Sequence, residues 1–307
     1  MTHTVFIDGA AGTTGLEIVE RLSPRGEFEL LVLDDEQRKS AQARRDAYHA
    51  AHFAVLCLPD DAAREALALA EGSKVRIVDA SSAHRVADGW TYGFPELVGR
   101  EAVAGANRVS NPGCYPTGFL ALVAPLVRAG LLPADWPFSV NAVSGYSGGG
   151  KALIARFEDD PDIAFRDYGL VLGHKHVPEM QRYAGLTRPP LFAPAVIPAH
   201  RGMVVEVPLQ LAAMPVAGSP EALRTALAEF YGASPIVTVH DQPRDELLLR
   251  RSMQPSDRLD LWVFGSADGA QARLVARLDN LGKGASGAAV QSLNLMAGLE
   301  ETAGLAL

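Results

Sequence analysis

The sequence predicts an α/β fold in two parts: a doubly wound parallel sheet, then an α+β half with a mixed or antiparallel sheet. Three observations carry this. Short apolar strands alternate with helical patterns through the first hundred residues. The first of those strands runs into a glycine-spaced turn and then a helix. Later in the chain, residues 261–265 and 272–278 read instead as neighbouring antiparallel strands.

Residues 4–8 read as a short buried strand, followed by glycines spaced G-x-x-G-x-x-G and a helix at 16–22. Such glycines allow a tight turn and close backbone approach to a pyrophosphate, which then faces a helix N-terminus. Gly9, Gly12, Thr13, Thr14 and Gly15 are therefore candidate cofactor-binding residues, and the first part is Rossmann-like. A second strand at 28–33 ends at Asp34 and Asp35, with Arg38 and Lys39 just beyond. An acid at this place accepts from a ribose 2′-OH, whereas Arg and Lys accommodate a 2′-phosphate. Arg38 and Lys39 favour NADP(H). Strands at 53–59 and 76–80, with a helix at 61–70 between them, extend the parallel pattern. Pro59, Ser81 and Ser82 lie at their carboxyl ends, where ligands of such sheets bind. Cys57 lies in an apolar run and reads as core.

Cys114 sits between a Pro-Gly turn and a helix running to about residue 129. Pro116 suits an early helical position, because its missing N–H has no intrahelical partner there. Free N–H groups and the positive end of the helix dipole favour the thiolate. Cys114 is the candidate nucleophile. A strand at 138–143 leads into a Gly/Ser-rich loop at 144–151. Ser144, Gly145, Ser147 and Gly148 offer donors to an anion or a substrate oxygen. His174 and His176, two apart, would share one face of an extended segment and are candidate general acid/base groups. A metal would want a third ligand, and only Glu179 is near in sequence, so no metal centre is expected. Arg201, before a strand at 204–209, could grip a carboxylate or phosphate with both arms. Residues 221–231 read as a helix, and Asn280 precedes a glycine-rich start of a long apolar helix ending near 299.

The chain has 307 residues, room for two domains, with 48% hydrophobic and 21% charged residues as in an ordinary soluble protein. A net charge of −8 without a basic block gives no support to nucleic-acid binding. No apolar run is long enough to span a bilayer, and the first residues lack a charged-then-apolar signal segment. Two cysteines make no disulfide framework and suit a reducing cytosol, so a cytoplasmic location is expected.

These motifs together resemble the short-form N-acetyl-γ-glutamyl-phosphate reductases of arginine biosynthesis, over nearly the whole chain. The most specific piece is Asn111-Pro112-Gly113-Cys114-Tyr115-Pro116-Thr117-Gly118, supported by 9–15, 144–151, 174–179 and 280–289. That family sits with the aspartate-semialdehyde and glyceraldehyde-3-phosphate dehydrogenases. The chain departs from the longer form in having Thr13-Thr14 where Gly-Tyr is common, which bears on subgroup and not on chemistry.

The resemblance implies a discontinuous NADP-binding domain, residues 1–113 and 284–307, around a catalytic, substrate and dimerisation domain, 114–283. It implies a homo-oligomer, dimer or tetramer, acting on a small-molecule acyl phosphate. The implied reaction is NADPH-dependent reduction of N-acetyl-L-glutamyl 5-phosphate through a Cys114 thioester. His174 or His176 would be the acid/base, and Asn280 would face the nicotinamide carboxamide. Asn111, backbone groups of 144–150 and Arg201 would hold substrate. The nearest alternative is another acyl-phosphate reductase such as aspartate-semialdehyde dehydrogenase, which the Gly-Cys-Tyr-Pro-Thr core disfavours. A Cys/His hydrolase or acyltransferase is disfavoured by the glycine fingerprint, and a non-catalytic NADP sensor by the Cys–His constellation.

Overall fold

The chain is described here by a computed structural model covering residues 2–242 and 244–307. These residues form two compact units, one running to Pro112 and resuming at Ala285–Leu305, the other comprising Gly113–Gly284 with Ala306–Leu307. The first unit opens with β1 (His3–Asp8), α1 (Thr13–Leu22), β2 (Phe28–Leu31), α2 (Ala41–Ala50), β3 (Phe53–Leu56), α3 (Asp60–Leu69) and β4 (Arg76–Asp79). It continues through β5 (Thr91–Tyr92), α4 (Pro95–Val98), α5 (Arg100–Ala104) and β6 (Arg108–Ser110). All six strands are parallel, in the order β2-β1-β3-β4-β6-β5. The chain steps from β1 outward to β2 and then back to the other side of β1, so the sheet reverses between β1 and β3. A crevice opens beyond the carboxyl ends of strands at such a reversal.

Gly9 follows β1 and the Cys57 carbonyl follows β3, and the two meet there. A Cβ on Gly9 would lie 2.3 Å from the Cys57 oxygen, and Gly9 has φ +90, so only glycine fits.

The second unit starts with α6 (Cys114–Arg128), then β7 (Ser139–Gly145), α7 (Gly150–Asp159), β8 (Arg166–Asp167), α8 (Val177–Ala184), β9 (Leu191–Ile197) and β10 (Met203–Leu209). It ends with α9 (Pro220–Tyr231), β11 (Val237–Val239), β12 (Leu259–Gly265) and β13 (Ala272–Leu278). The sheet is mixed, in the order β11-β12-β13-β10-β7-β9-β8. Its centre, β12-β13-β10-β7, is antiparallel, while β7 pairs β9 in parallel. Helix α6 is buried along nearly its whole length and packs on β10 and β13. Pro125 inside it cannot donate to the Ala121 carbonyl. The Tyr231 hydroxyl donates to that carbonyl instead, at 3.0 Å, which keeps a buried acceptor satisfied.

The last helix, α10 (Gly287–Met296), belongs to the first unit. Alternation along the strands splits that unit's core into two layers. Val5, Ile7, Val55, Val78 and Val109 pack with Ile18 and Leu22 of α1 and with Val290, Leu293 and Met296 of α10. Phe6, Ala54, Leu56 and Ile77 pack on the other face with α2 and α3. Helices thus cover both faces, as a buried parallel sheet requires.

Candidate active site

Cys114 is the first residue of α6, and Gly113, in extended conformation, is its N-cap with no side-chain cap. Four N–H groups at a helix start lack intrahelical partners. No side chain caps this start, so the positive end of the helix dipole faces the Cys114 sulfur. The turn is held from both sides. The Gly113 carbonyl accepts from the Thr117 N–H and hydroxyl, both at 2.9 Å. The Gly113 N–H donates to Glu179 Oε2 at 3.1 Å. Glu179, 1% exposed in the first turn of α8, thus fastens the Cys114 turn to the helix that follows the histidines. On another side Gly284 touches the thiol's own residue, and a Cβ there would lie 2.9 Å from Cys114 Cβ.

The histidines are not on a strand, as their spacing suggested. Pro178 occupies an early position of α8 and starts the helix at Val177, which leaves 174–176 as the turn entering it. The turn folds the side chains together: the rings lie 4.6 Å apart at 67°, and the His176 N–H donates to His174 Nδ1 at 3.2 Å. A shared face of an extended segment is therefore replaced by direct ring contact. Tyr115, the residue after Cys114, packs against both imidazoles at 6.3 and 5.8 Å. Tyr168 and Phe192 flank His174 at 5.6 and 5.1 Å. The Tyr115 hydroxyl donates to the Ala195 carbonyl at 3.1 Å. Burial, reinforced by the neighbouring Tyr168 and Cys114 charges, raises the Tyr115 hydroxyl well above the phenol range. Burial pushes Tyr168 up to about 12, with Cys114 adding to the rise. Both remain phenols at neutral pH, able to donate.

The loop after β7 is tied to 199–202 by backbone bonds of Gly145, Tyr146 and Ser147 and by the amide of Asn280. Asn280 Nδ2 donates to Ser147 Oγ and Asn280 Oδ1 accepts from the Gly202 N–H, each at 2.9 Å. Gly145 and Gly148 lie along this seam, and Ser144 and Ser147 are buried in it. Arg201 is bound within the same unit, its Nη1 donating to Asp279 Oδ2 at 2.8 Å. Asp279 is fully buried and also accepts from the Ser256 and Leu281 N–H groups. Removing the arginine would leave a buried carboxylate without its cation, a loss of about 3–5 kcal/mol. An Arg201→Ala variant is thus expected to melt at a lower temperature than wild type, as thermal unfolding would show.

In the first unit, a cavity of about 530 Å³ opens beyond β1, lined by Asp8, Gly9, Ala10, Ala11, Val32, Asp35, Arg38 and Arg44 among others. Gly12 caps α1 without a side-chain bond, and no acid stands in that helix's first turn. A pyrophosphate could therefore approach the Thr13, Thr14 and Gly15 amides closely, which fits a nicotinamide dinucleotide. Arg38 lines the cavity and pairs with Asp35 at 3.1 Å, whereas Lys39 is exposed and outside the lining. Pro59 caps α3. Ser81 bonds Asp79 through its N–H and hydroxyl, and Ser82 bonds Asp60 in the same way. Asn111, 1% exposed, donates from Nδ2 to the Ala285 carbonyl.

Cys57 lies just past β3. Burial and the carboxylates of Asp79 and Asp8 push its thiol up to about 12. Below that pH it stays protonated and poorly nucleophilic. Iodoacetamide at pH 7.5 is expected to label Cys114 and spare Cys57, and peptide mass mapping reads the two sites separately. Comparable labelling of Cys57 would contradict this.

Glu179, Tyr115, Tyr168 and Asp279 join the site without a role assigned from sequence. Each acts through a partner distant in the chain, so no local pattern marks it. Among the described residues no group of three His, Cys, Asp or Glu side chains could hold a metal, and no helix is long and apolar enough to cross a membrane.

The semialdehyde dehydrogenase dimerisation domain matches residues 114–280, and the semialdehyde dehydrogenase NAD binding domain matches 34–106. The chain is 48% identical to N-acetyl-gamma-glutamyl-phosphate reductase 2 of Nostoc sp. PCC 7120, over 98% of both chains. It is 50% identical to the N-acetyl-gamma-glutamyl-phosphate reductase of Brucella ovis, over 97% of this chain and all of that one. Aspartate semialdehyde dehydrogenase II from Vibrio cholerae shares the fold, with TM-score 0.72 and 18% identity over 96% of this chain and 98% of that one. Aspartate semialdehyde dehydrogenase from Francisella tularensis does so with TM-score 0.71 and 13% identity, over 96% of this chain and 100% of that one. With two matched domains and full-length relatives near half identity, the chain belongs to the N-acetyl-γ-glutamyl-phosphate reductase family of the semialdehyde dehydrogenases.

Proposed function

We propose that the chain reduces N-acetyl-L-glutamyl 5-phosphate to N-acetyl-L-glutamate 5-semialdehyde and phosphate, with NADPH as reductant. The observation that carries this is Cys114 at the uncapped start of α6. A cysteine so placed is a nucleophile, and an acyl phosphate is a matching electrophile. Cys114 Sγ attacks the acyl carbon, the bond to the phosphate oxygen breaks, and phosphate leaves with the electron pair. The product is a thioester on Cys114. The reduced nicotinamide, when bound, supplies the hydride that this thioester carbon accepts. Collapse of the resulting oxyanion breaks the C–S bond, releases the aldehyde and returns the thiolate.

One of His174 and His176 takes the thiol proton and stabilises the oxyanion, and the other is structural or holds substrate. Because His174 Nδ1 accepts the His176 N–H, a neutral His174 carries its proton on Nε2. Ser144, Gly145, Ser147 and Gly148 shape the substrate side with Arg201 and Asn111, and Asn280 faces the nicotinamide carboxamide. Gly9, Gly12, Thr13, Thr14 and Gly15 hold the pyrophosphate, with Pro59, Ser81 and Ser82 along the wall of the cofactor site. Residues 113–284 with the first unit constitute a catalytic and a cofactor domain. The match of residues 114–280 to a dimerisation domain supports a homo-oligomer, and Cys57 and Cys114, which form no disulfide, suit a reducing cytoplasm.

The test is NADP-dependent oxidation of N-acetylglutamate semialdehyde in the presence of phosphate, followed at the nicotinamide absorbance. Turnover that needs phosphate is expected. Turnover of aspartate semialdehyde in its place, with none of the N-acetylated aldehyde, would transfer the chain to the alternative reductase.

A further inference from the structure

The cavity beyond β1 has a charged wall built around a buried acid. Asp8 ends β1 and is 4% exposed. Its Oδ2 accepts from Arg44 Nε at 3.1 Å, from Arg44 Nη2 at 2.8 Å and from the Tyr48 hydroxyl. Arg44 and Tyr48 stand one turn apart on α2, so one helix face supplies both donors. A carboxylate this deep persists only when paired and hydrogen-bonded. Burial and Asp8 keep the Tyr48 hydroxyl protonated, so it stays a donor.

The pairing fixes the Arg44 guanidinium by Nε and Nη2 and leaves Nη1, with two further donors, outside the ion pair. Arg44 lines the cavity together with Arg38. Arg38 and Asp35 are both exposed, and an exposed ion pair is weak enough for Arg38 to turn toward another anion. Asp34, one of two acids after β2 able to take a ribose hydroxyl, does not line the cavity. Its Oδ1 accepts from the Glu36 and Gln37 N–H groups.

We propose that Arg44 selects NADP over NAD: its Nη1 edge, joined by Arg38, binds the 2′-phosphate of the adenosine ribose while Asp8 and Tyr48 hold the guanidinium in place. The Asp8–Arg44 pair is neutral as a whole, so Arg44 contributes direction and Arg38 contributes charge. Lys39, exposed and outside the lining, has no part in it. This assignment rests on the NADP reading above.

The test is calorimetric titration of 2′,5′-ADP and 5′-AMP, fragments that differ only in the 2′-phosphate, into the whole protein. Wild type is expected to bind 2′,5′-ADP the more tightly. Arg44→Lys, which keeps a cation beside Asp8 but loses the fork, should weaken 2′,5′-ADP roughly 10- to 150-fold, as loss of a charge-assisted hydrogen bond does. Its 5′-AMP affinity should stay within threefold. The double variant Asp8→Asn/Arg44→Met removes both charges together, so folding is not burdened by an unpaired acid, and should behave likewise. Equal wild-type affinity for the two fragments would overturn the NADP reading itself. Wild-type discrimination retained in both variants, or an equal loss for both fragments, would overturn Arg44 alone.

Discussion

Cys114→Ser is expected to lose turnover by about four orders of magnitude or more while binding NADP(H) as wild type does. Nucleophile replacements in enzymes with a covalent intermediate reach this scale. The substitution changes one atom in a turn whose backbone contacts, from Gly113 to Glu179 and Thr117, do not involve the sulfur. Gly284 packs on the Cβ, which serine retains. Fold and cofactor affinity should therefore survive, and only the nucleophile is removed. A serine hydroxyl has no appreciable anionic form at neutral pH, and the helix start cannot supply one. The measurement pairs steady-state turnover with cofactor titration. Turnover within a factor of ten of wild type would remove Cys114 from the chemistry.

The second large effect is expected from the histidine pair. Replacing the acid/base by Asn should lower turnover roughly 10²- to 10⁴-fold. Replacing the other should act on KM or thermal stability, because the two rings pack on each other and on Tyr115. His174→Asn and His176→Asn are to be compared for turnover and for the pH dependence of Cys114 alkylation. A protonated imidazole near the sulfur favours thiolate, so loss of the acid/base should slow alkylation near neutral pH. If neither variant loses tenfold, the acid/base lies elsewhere and the pair is scaffold around Tyr115.

Much of the architecture is legible because its signals are local. In the first unit the apolar stretches Val5–Ile7 of β1 and Phe53–Leu56 of β3 stand out, and each soon meets a glycine or proline, Gly9 and Pro59. The turn before Cys114 is legible for the same reason. The shape of 174–176 is not, since two residues at i and i+2 fit an extended segment and a turn equally. Pro178, two residues on, decides it by fixing where α8 begins. The wall around Asp8 is illegible for a different reason. Its acid and base are 36 residues apart, and no period connects them. Glu179 meets Gly113 across 66 residues, and Arg201 meets Asp279 across 78. Sequence pattern identifies what lies on an element, and long-range pairing decides which of those groups is already spoken for.

The return of α10 to the first unit has a consequence for biosynthesis on the ribosome. The sheet β1–β6 is complete once Ser110 has emerged, yet Val290, Leu293 and Met296, which cover part of one face, are made last. The stretch 113–284 must be translated in between, which takes about 10–35 s at roughly 5–20 residues per second. Throughout that interval part of the face carrying Val5, Ile7, Val55, Val78 and Val109 lacks its cover. The nascent chain therefore offers chaperones an apolar strand surface that the finished protein never shows.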